Sequence, residues 1–132
     1  MANEKLITHW LESSNRDFET MEVLFKNKHY HWSLFVGHLV LEKLLKSLHA
    51  KLHNGEPPVP WTHNLTRLAE LCSLEIDADT IAKFNLINSF NQEARYQDSK
   101  NDFYRLCTKE FTEEQISIIK EKRLWLKEQI EK

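Results

Sequence analysis

The sequence predicts an all-α protein, and three observations lead to that prediction. Apolar residues recur every three or four positions over long stretches, which places them on one face of a helix. No stretch of useful length alternates with period two, as a half-buried strand would. The 132 residues include only two Gly and three Pro, too few for the many turns of a β-sandwich or barrel. We therefore expect an up-and-down bundle of four long helices and one short helix.

The first half of the chain predicts two long helices. The first covers about residues 3–26 and the second about residues 30–53. The second is apolar nearly all round near its middle, which predicts a central helix packed on several sides, with Leu41 and Leu45 in the core. Asn54-Gly55 ends this helix, because glycine accepts a left-handed backbone without a Cβ clash.

The second half predicts a short helix and two longer ones. After the stiff loop Pro57–Pro60, a short helix covers about residues 64–72. A longer helix begins at Asp77, whose carboxylate is suited to capping exposed backbone amides. The last helix begins at Thr112, where Thr-Glu-Glu-Gln has the pattern of a capping box, and it runs to the C-terminus. The polar residues 97–109 fit no single pattern.

The composition predicts one soluble domain over residues 1–132. Hydrophobic residues make up 41% and charged residues 29%, and the formal charge of −2 gives no general basic field for nucleic acid. Cys72 and Cys107 have no CxxC spacing, and no signal peptide or apolar run of about 18 residues is recognisable. We therefore expect reduced thiols and a cytoplasmic protein without a membrane segment.

Two kinds of functional site are disfavoured. Phosphate-binding glycine loops need clustered glycines, whereas Gly37 and Gly55 are isolated. His49 and His53 share a helical face, but zinc needs three or four convergent ligands and nothing nearby completes the set. His38 lies in the most apolar stretch and is expected to be a hydrogen-bonded core histidine. We expect neither a metal nor a cofactor.

Two charged clusters are better candidates for a site. Glu42 and Lys46 form an i, i+4 pair within the central helix, with Lys43 between them, and this pattern fits either a solvated stripe or a functional group. Arg95 and Tyr96 stand side by side at the end of a helix. Such a pair is suited to a nucleotide site, in which the arginine binds a phosphate and the aromatic ring stacks on a base. It is equally suited to an Arg–carboxylate ion pair that holds a loop in place.

Three motifs in order resemble the HEPN domain family, in the branch with EKxxK, THxL and ARYPD segments that is often encoded beside minimal nucleotidyltransferases. The resemblance covers about residues 18–126, and Gln97 replaces the proline of the last motif. The segments that carry it are Leu41-Glu42-Lys43-Leu44-Leu45-Lys46, Thr62-His63-Asn64-Leu65, and Ala94-Arg95-Tyr96 with Asp98.

The resemblance implies a helical bundle that commonly dimerises and that handles nucleotides or RNA. Ribonucleases of this family carry a helix-terminal arginine that is separated from a following histidine by four to six residues. Here the corresponding positions after Arg95 hold Lys100, Asn101 and Asp102, and no histidine follows His63. Imidazole titrates near neutrality, which suits it to general acid–base catalysis, so its absence argues against ribonuclease activity.

Our first hypothesis is a non-catalytic HEPN module that acts as a homodimer, with a nucleotidyltransferase partner or a nucleotide or RNA ligand. A dimer is also favoured because the aromatic residues offer more surface than a bundle of 132 residues easily hides, namely Trp10, Trp32, Trp125, Phe18 and Phe25. The alternatives are a toxin-like ribonuclease in which His63 replaces the missing histidine, and a purely structural helical dimer. The candidate ligand-binding residues are Arg95, Tyr96, Asp98, Glu42, Lys43, Lys46 and His63.

Overall fold

The first two helices form a long antiparallel hairpin, α1 (Ala2–Lys26) and α2 (Tyr30–His53). The computed structural model describes residues 2–95 and 97–132, without the side chains of residues 2 and 97–100. Three serine hydroxyls join the two helices by donating to main-chain carbonyls across the interface: Ser14 to Val40 at 2.8 Å, Ser33 to Met21 at 2.8 Å and Ser47 to Ile7 at 2.9 Å. These small side chains thus allow α1 and α2 to approach closely, and each buried hydroxyl still has a hydrogen-bond partner.

The central position predicted for α2 is confirmed, because it contacts every other helix described. Leu41 and Leu45 are fully buried, as predicted. The helix ends at His53 and is capped by Asn54, which has φ 53°, and Gly55 follows with φ 82°. The left-handed turn therefore begins one residue before the predicted glycine, because asparagine also tolerates this conformation.

Gly37 lets α2 approach its neighbours closely. A Cβ at this position would lie 2.6 Å from Cδ1 of Ile119 and 3.1 Å from the sulfur of Met21. Ile119 belongs to the last helix, α6 (Lys109–Glu131), and both neighbours are fully buried. The glycine thus occupies the point where the hairpin and α6 converge.

The short helix α3 (Leu65–Leu71) and the helix α4 (Ala78–Glu93) complete the side of the bundle that carries the candidate site. Asn64 caps α3 by accepting from the amide of Arg67 at 3.1 Å. The predicted cap at Asp77 is confirmed, since its carboxylate accepts from the amide of Thr80 at 2.8 Å. Both caps satisfy amides that have no partner within their own helix.

The predicted start of the last helix is wrong. The helix α6 begins at Lys109, capped by Thr108, whose hydroxyl accepts from the amide of Phe111 at 3.1 Å. Thr112 lies inside the helix and is fully buried. The preceding segment also forms a helix, α5 (Gln97–Leu106), so the described residues contain one helix more than the five expected.

The all-α prediction is correct, and the six helices of the described residues account for 80% of the chain. None of these helices combines the length and apolar character that crossing a bilayer requires. Cys72 and Cys107 are buried free thiols, and burial raises the pKa of each to about 12.

Candidate functional site

A buried carboxylate organises the candidate site. Glu42 is 3% exposed, and its two oxygens have different partners. Lys46 Nζ donates to Oε2 at 3.0 Å, and His63 Nδ1 donates to Oε1 at 2.9 Å. The Lys46 ammonium also lies 5.3 Å from the ring centroid of Trp10, within cation–π range. The predicted i, i+4 pair is therefore a buried ion pair that also holds a histidine from another segment.

The segment Thr62-His63-Asn64-Leu65 delivers His63 to Glu42. The Thr62 hydroxyl accepts from the Asn64 amide at 3.1 Å, and Asn64 in turn caps α3. The adjacent α4 helix fixes this turn, because Asn88 accepts from the Leu65 amide at 2.8 Å and donates to the Asn64 side chain at 3.0 Å. The motif thus forms a capped turn whose position against α2 and α4 is set by hydrogen bonds on both of its sides.

His38 connects this turn to α4 from within the core. The side chain is fully buried, and Nε2 donates to the carbonyl of His63 at 2.8 Å. Its Nδ1 lies 3.4 Å from Nδ2 of Asn91 and 3.7 Å from Oε1 of Glu42. Burial lowers the pKa of His38 below 6.5, although the Glu42 carboxylate and the hydrogen bond to His63 oppose that effect. His38 is therefore neutral at pH 7.

Arg95 follows the end of α4 and is anchored to it. Its Nη2 donates to Oδ1 of Asn91 at 2.7 Å, and its Nε donates to the Asn91 carbonyl at 3.0 Å. The residue is nevertheless exposed to solvent. A guanidinium carries five N–H donors in a rigid fork, so an anionic ligand can bind to its solvent-exposed edge.

Arg95 and His63 line the same open cleft of about 390 Å³. The His63 side chain is 59% exposed, whereas the Glu42 carboxylate behind it is nearly inaccessible. Amide side chains supply the rest of the lining, which comprises Asn64, Asn88, Asn91 and Gln92. The cleft therefore offers a guanidinium, an imidazole and several neutral donors and acceptors.

The structure brings only some of the candidate residues together. Arg95 and His63 line the cleft, and Glu42 and Lys46 support it from behind. Lys43, also a candidate ligand-binding residue, instead pairs with Asp17 of α1 at 2.6 Å, because one residue along a helix turns the side chain by about 100°. Tyr96 and the side chain of Asp98 lie outside the described residues.

Sequence reasoning missed the amides of α4 and the linking role of His38. Asn85, Asn88, Asn91 and Arg95 follow one another at intervals of three or four, and this spacing indicates a polar stripe beside the apolar stripe of the same helix. That pattern was the available signal. It could not identify the partners of the stripe outside α4, which lie 19 to 53 positions away in the sequence.

The other histidine pair gives no indication of a metal site. The rings of His49 and His53 lie 4.2 Å apart, and His53 Nε2 donates to the carbonyl of Leu71 at 2.9 Å. Burial lowers the pKa of His49, and the neighbouring His53 lowers it further. Within the described part of the chain, no three His, Cys, Asp or Glu residues converge as metal ligands would.

The chain belongs to the HEPN family, since the profile of the HEPN domain matches residues 7–129. The structure is also similar to the crystal structure of TT1696 from Thermus thermophilus, with a TM-score of 0.76 and 20% sequence identity. That match covers 93% of this chain and 97% of the other, so the two proteins share the whole fold. Among curated protein sequences, none matches the chain with significant similarity.

Proposed function

We propose that this protein is a non-catalytic HEPN module that binds a phosphate-bearing ligand, with a nucleotide as the best candidate. The observation that supports the proposal is the joint placement of Arg95 and His63 in one polar cleft. Guanidinium donors match phosphate oxygens in geometry and charge, and amide side chains suit the polar edges of a base or sugar. A volume of about 390 Å³ is within the range of small-molecule sites.

The sequence beyond Arg95 supports the absence of ribonuclease activity. None of the positions at family spacing after this arginine is a histidine. A lysine or aspartate there would need a strongly shifted pKa to act as an acid or base at neutral pH. The cleft then holds a ligand without cutting it.

A direct test is calorimetric titration with adenosine monophosphate and, separately, with inorganic phosphate. Arg95→Ala should weaken binding of both by about tenfold or more, because it removes a charge-assisted contact. Arg67→Ala is the matched control, since Arg67 is also an exposed arginine but pairs with Glu70 on α3. Equal affinity of the two variants, or no binding by the unmodified chain, would contradict the proposal.

We further propose that the module works as a homodimer and docks a nucleotidyltransferase partner. Support comes from the family resemblance and from exposed apolar side chains, among them Leu124, which is 60% exposed on α6. Sedimentation at micromolar concentration should give about twice 15.8 kDa. A monomer at that concentration would contradict the dimer, and failure to co-purify with a co-expressed nucleotidyltransferase encoded beside it would contradict the partner.

One observation favours a second candidate, a ribonuclease in which His63 replaces the missing histidine. A buried carboxylate that accepts from Nδ1 of a histidine is the arrangement that orients catalytic imidazoles elsewhere. His63 also lines the cleft beside Arg95. The third possibility, a purely structural dimer, predicts that neither binding nor cleavage is detected.

A further inference from the structure

We infer that His38 and Asn91 are positioning residues that join Arg95 and His63 into one directional chain of hydrogen bonds. This inference rests on the proposed function, because it concerns how the two residues of that cleft are held. Asn91 lines the cleft beside them, whereas His38 is fully buried in the core and is not among the lining residues.

The direction of every bond follows from the chemistry of its partners, beginning at Arg95. A guanidinium can only donate, so the Asn91 atom 2.7 Å from Nη2 must be the amide oxygen Oδ1. The amide nitrogen of Asn91 then points at Nδ1 of His38, at 3.4 Å. Because that nitrogen is a donor, Nδ1 of His38 must be the unprotonated acceptor.

The series of hydrogen bonds continues from His38 to the loop that carries His63. A neutral His38 without a proton on Nδ1 carries it on Nε2, and Nε2 lies 2.8 Å from the carbonyl of His63, which can only accept. The neutral state agrees with the lowered pKa that burial gives His38. The series of hydrogen bonds thus runs from Arg95 through Asn91 and His38 to the backbone of His63, and at each step a donor meets an acceptor.

The ring of His63 has the opposite proton placement. Its Nδ1 lies 2.9 Å from a Glu42 oxygen, so this nitrogen carries a proton and Nε2 is the acceptor of the neutral ring. Lys46 donates to the second oxygen of Glu42 at 3.0 Å, so each carboxylate oxygen has its own donor. The consequence is a cleft that presents the Arg95 guanidinium and the Nε2 edge of His63, with their relative positions set through His38 and Asn91.

The first test reads the ring protons directly. Long-range ¹H–¹⁵N spectra of the histidine rings at pH 8 should show His38 protonated at Nε2 and His63 protonated at Nδ1, which is the less common tautomer in solution. In His38→Gln, the side-chain amide replaces the Nε2 donor and should preserve the His63 pattern. In His38→Leu, the pattern should revert to the common tautomer because the loop loses its anchor.

Two results would overturn the inference. One is a His63 ring protonated at Nε2 in the unmodified chain, and the other is a His63 pattern that survives in His38→Leu. If His38→Leu fails to fold, the unmodified chain still decides the direction of the hydrogen bonds, since its His38 ring must be protonated at Nε2 and not at Nδ1.

The second test measures the link to Arg95 with inorganic phosphate as the probe. Asn91→Leu and His38→Leu should each weaken phosphate binding by about tenfold, the effect of losing roughly one net hydrogen bond. Asn85→Leu is the control, because Asn85 lies on the same helix but contacts Thr66. His38→Gln should retain more affinity than His38→Leu, which a merely space-filling role would not produce.

The outcomes separate this inference from the proposed function. No phosphate binding by the unmodified chain would contradict the proposed function, while the ring spectra would still decide the hydrogen-bond chain. Phosphate binding that is lost in Arg95→Ala but unchanged in both Asn91→Leu and His38→Leu would support the function and overturn the inference.

Discussion

Glu42 shows at the scale of one residue how a helical core can accommodate a charged side chain. Its carboxylate is almost inaccessible, and it is stable there because Lys46 and His63 each donate to one of its oxygens. A buried charge without a partner is far more costly than the same charge paired and hydrogen-bonded. The loss in the free energy of unfolding should therefore be largest when only one member of the Glu42–Lys46 pair is removed.

Glu42→Ala should lower the free energy of unfolding by about 3–5 kcal/mol, because it leaves the Lys46 ammonium buried without a counter-charge. Chemical denaturation measures this loss. Lys43→Ala is the control: its partner Asp17 is partly exposed, so the loss should stay below about 1 kcal/mol.

The double variant Glu42→Leu, Lys46→Met should recover most of the stability lost in Glu42→Ala, since both charges are replaced together by apolar groups of similar volume. A loss in Glu42→Ala no larger than that in Lys43→Ala would contradict the buried-pair description.

The residues of the site were predictable from the sequence only in part. Arg95 and His63 were identified because each belongs to a short motif, and both line the cleft. Lys43 belongs to the same motif as Glu42 but faces α1, since a motif written in letters does not say which helical face each position takes. His38 was expected in the core, but its role as a link depends on Asn91, 53 positions away.

At the scale of helices, Gly37 sets the distance between α2 and α6. Gly37→Ala should destabilise the fold by about 1–3 kcal/mol, the cost of overpacking, despite the better helix propensity of alanine. Ile119→Val removes the Cδ1 atom that the new Cβ would meet. Thermal or chemical denaturation of both single variants and the double variant measures the coupling between them.

The double variant Gly37→Ala, Ile119→Val should be more stable than the sum of the two single losses predicts, by about 0.5 kcal/mol or more. Additive losses would show that the two positions do not compete for the same space. Gly55→Ala provides a comparison, because no atom lies within 4 Å there and any loss comes from its positive φ.

Helix boundaries were predicted well where local chemistry decides them and poorly where packing does. Asp77 caps α4 as expected because its side chain and the amide of Thr80 are neighbours in sequence. At α6, both Thr108 and Thr112 are possible caps, and the burial of Thr112 in the bundle selects the earlier one. The helix α5 was missed because it is polar, and its main anchor is Phe103, which stacks on Phe90.

At the scale of the whole molecule, two buried histidines should make stability depend on pH. Burial lowers the pKa of both His38 and His49 below the 6.5 of an unfolded histidine. Below pH 6.5 the unfolded chain therefore binds protons that the folded chain does not. The stability that the two neutral histidines contribute is fully present above pH 6.5. It is lost as the pH falls from 6.5 through their pKa values in the folded state.

The free energy of unfolding should accordingly decrease between pH 7.5 and pH 5, as measured by urea denaturation at fixed ionic strength. His38→Gln and His49→Gln should each reduce the slope in that range. His29→Gln is the control, since His29 is exposed between α1 and α2. A slope that is equally steep in His38→Gln and in the unmodified chain would contradict the neutral, buried state of His38.

If this HEPN module binds a phosphate-bearing ligand without cutting RNA, as proposed, it should leave RNA intact. The most direct measurement is incubation of the purified protein with transfer RNA and a messenger RNA in the presence of EDTA, followed by gel analysis. We predict that both RNAs remain as intact as in a blank without protein. Cleavage that disappears in both Arg95→Ala and His63→Ala would contradict the claim and would assign to His63 the catalytic position that the sequence beyond Arg95 lacks.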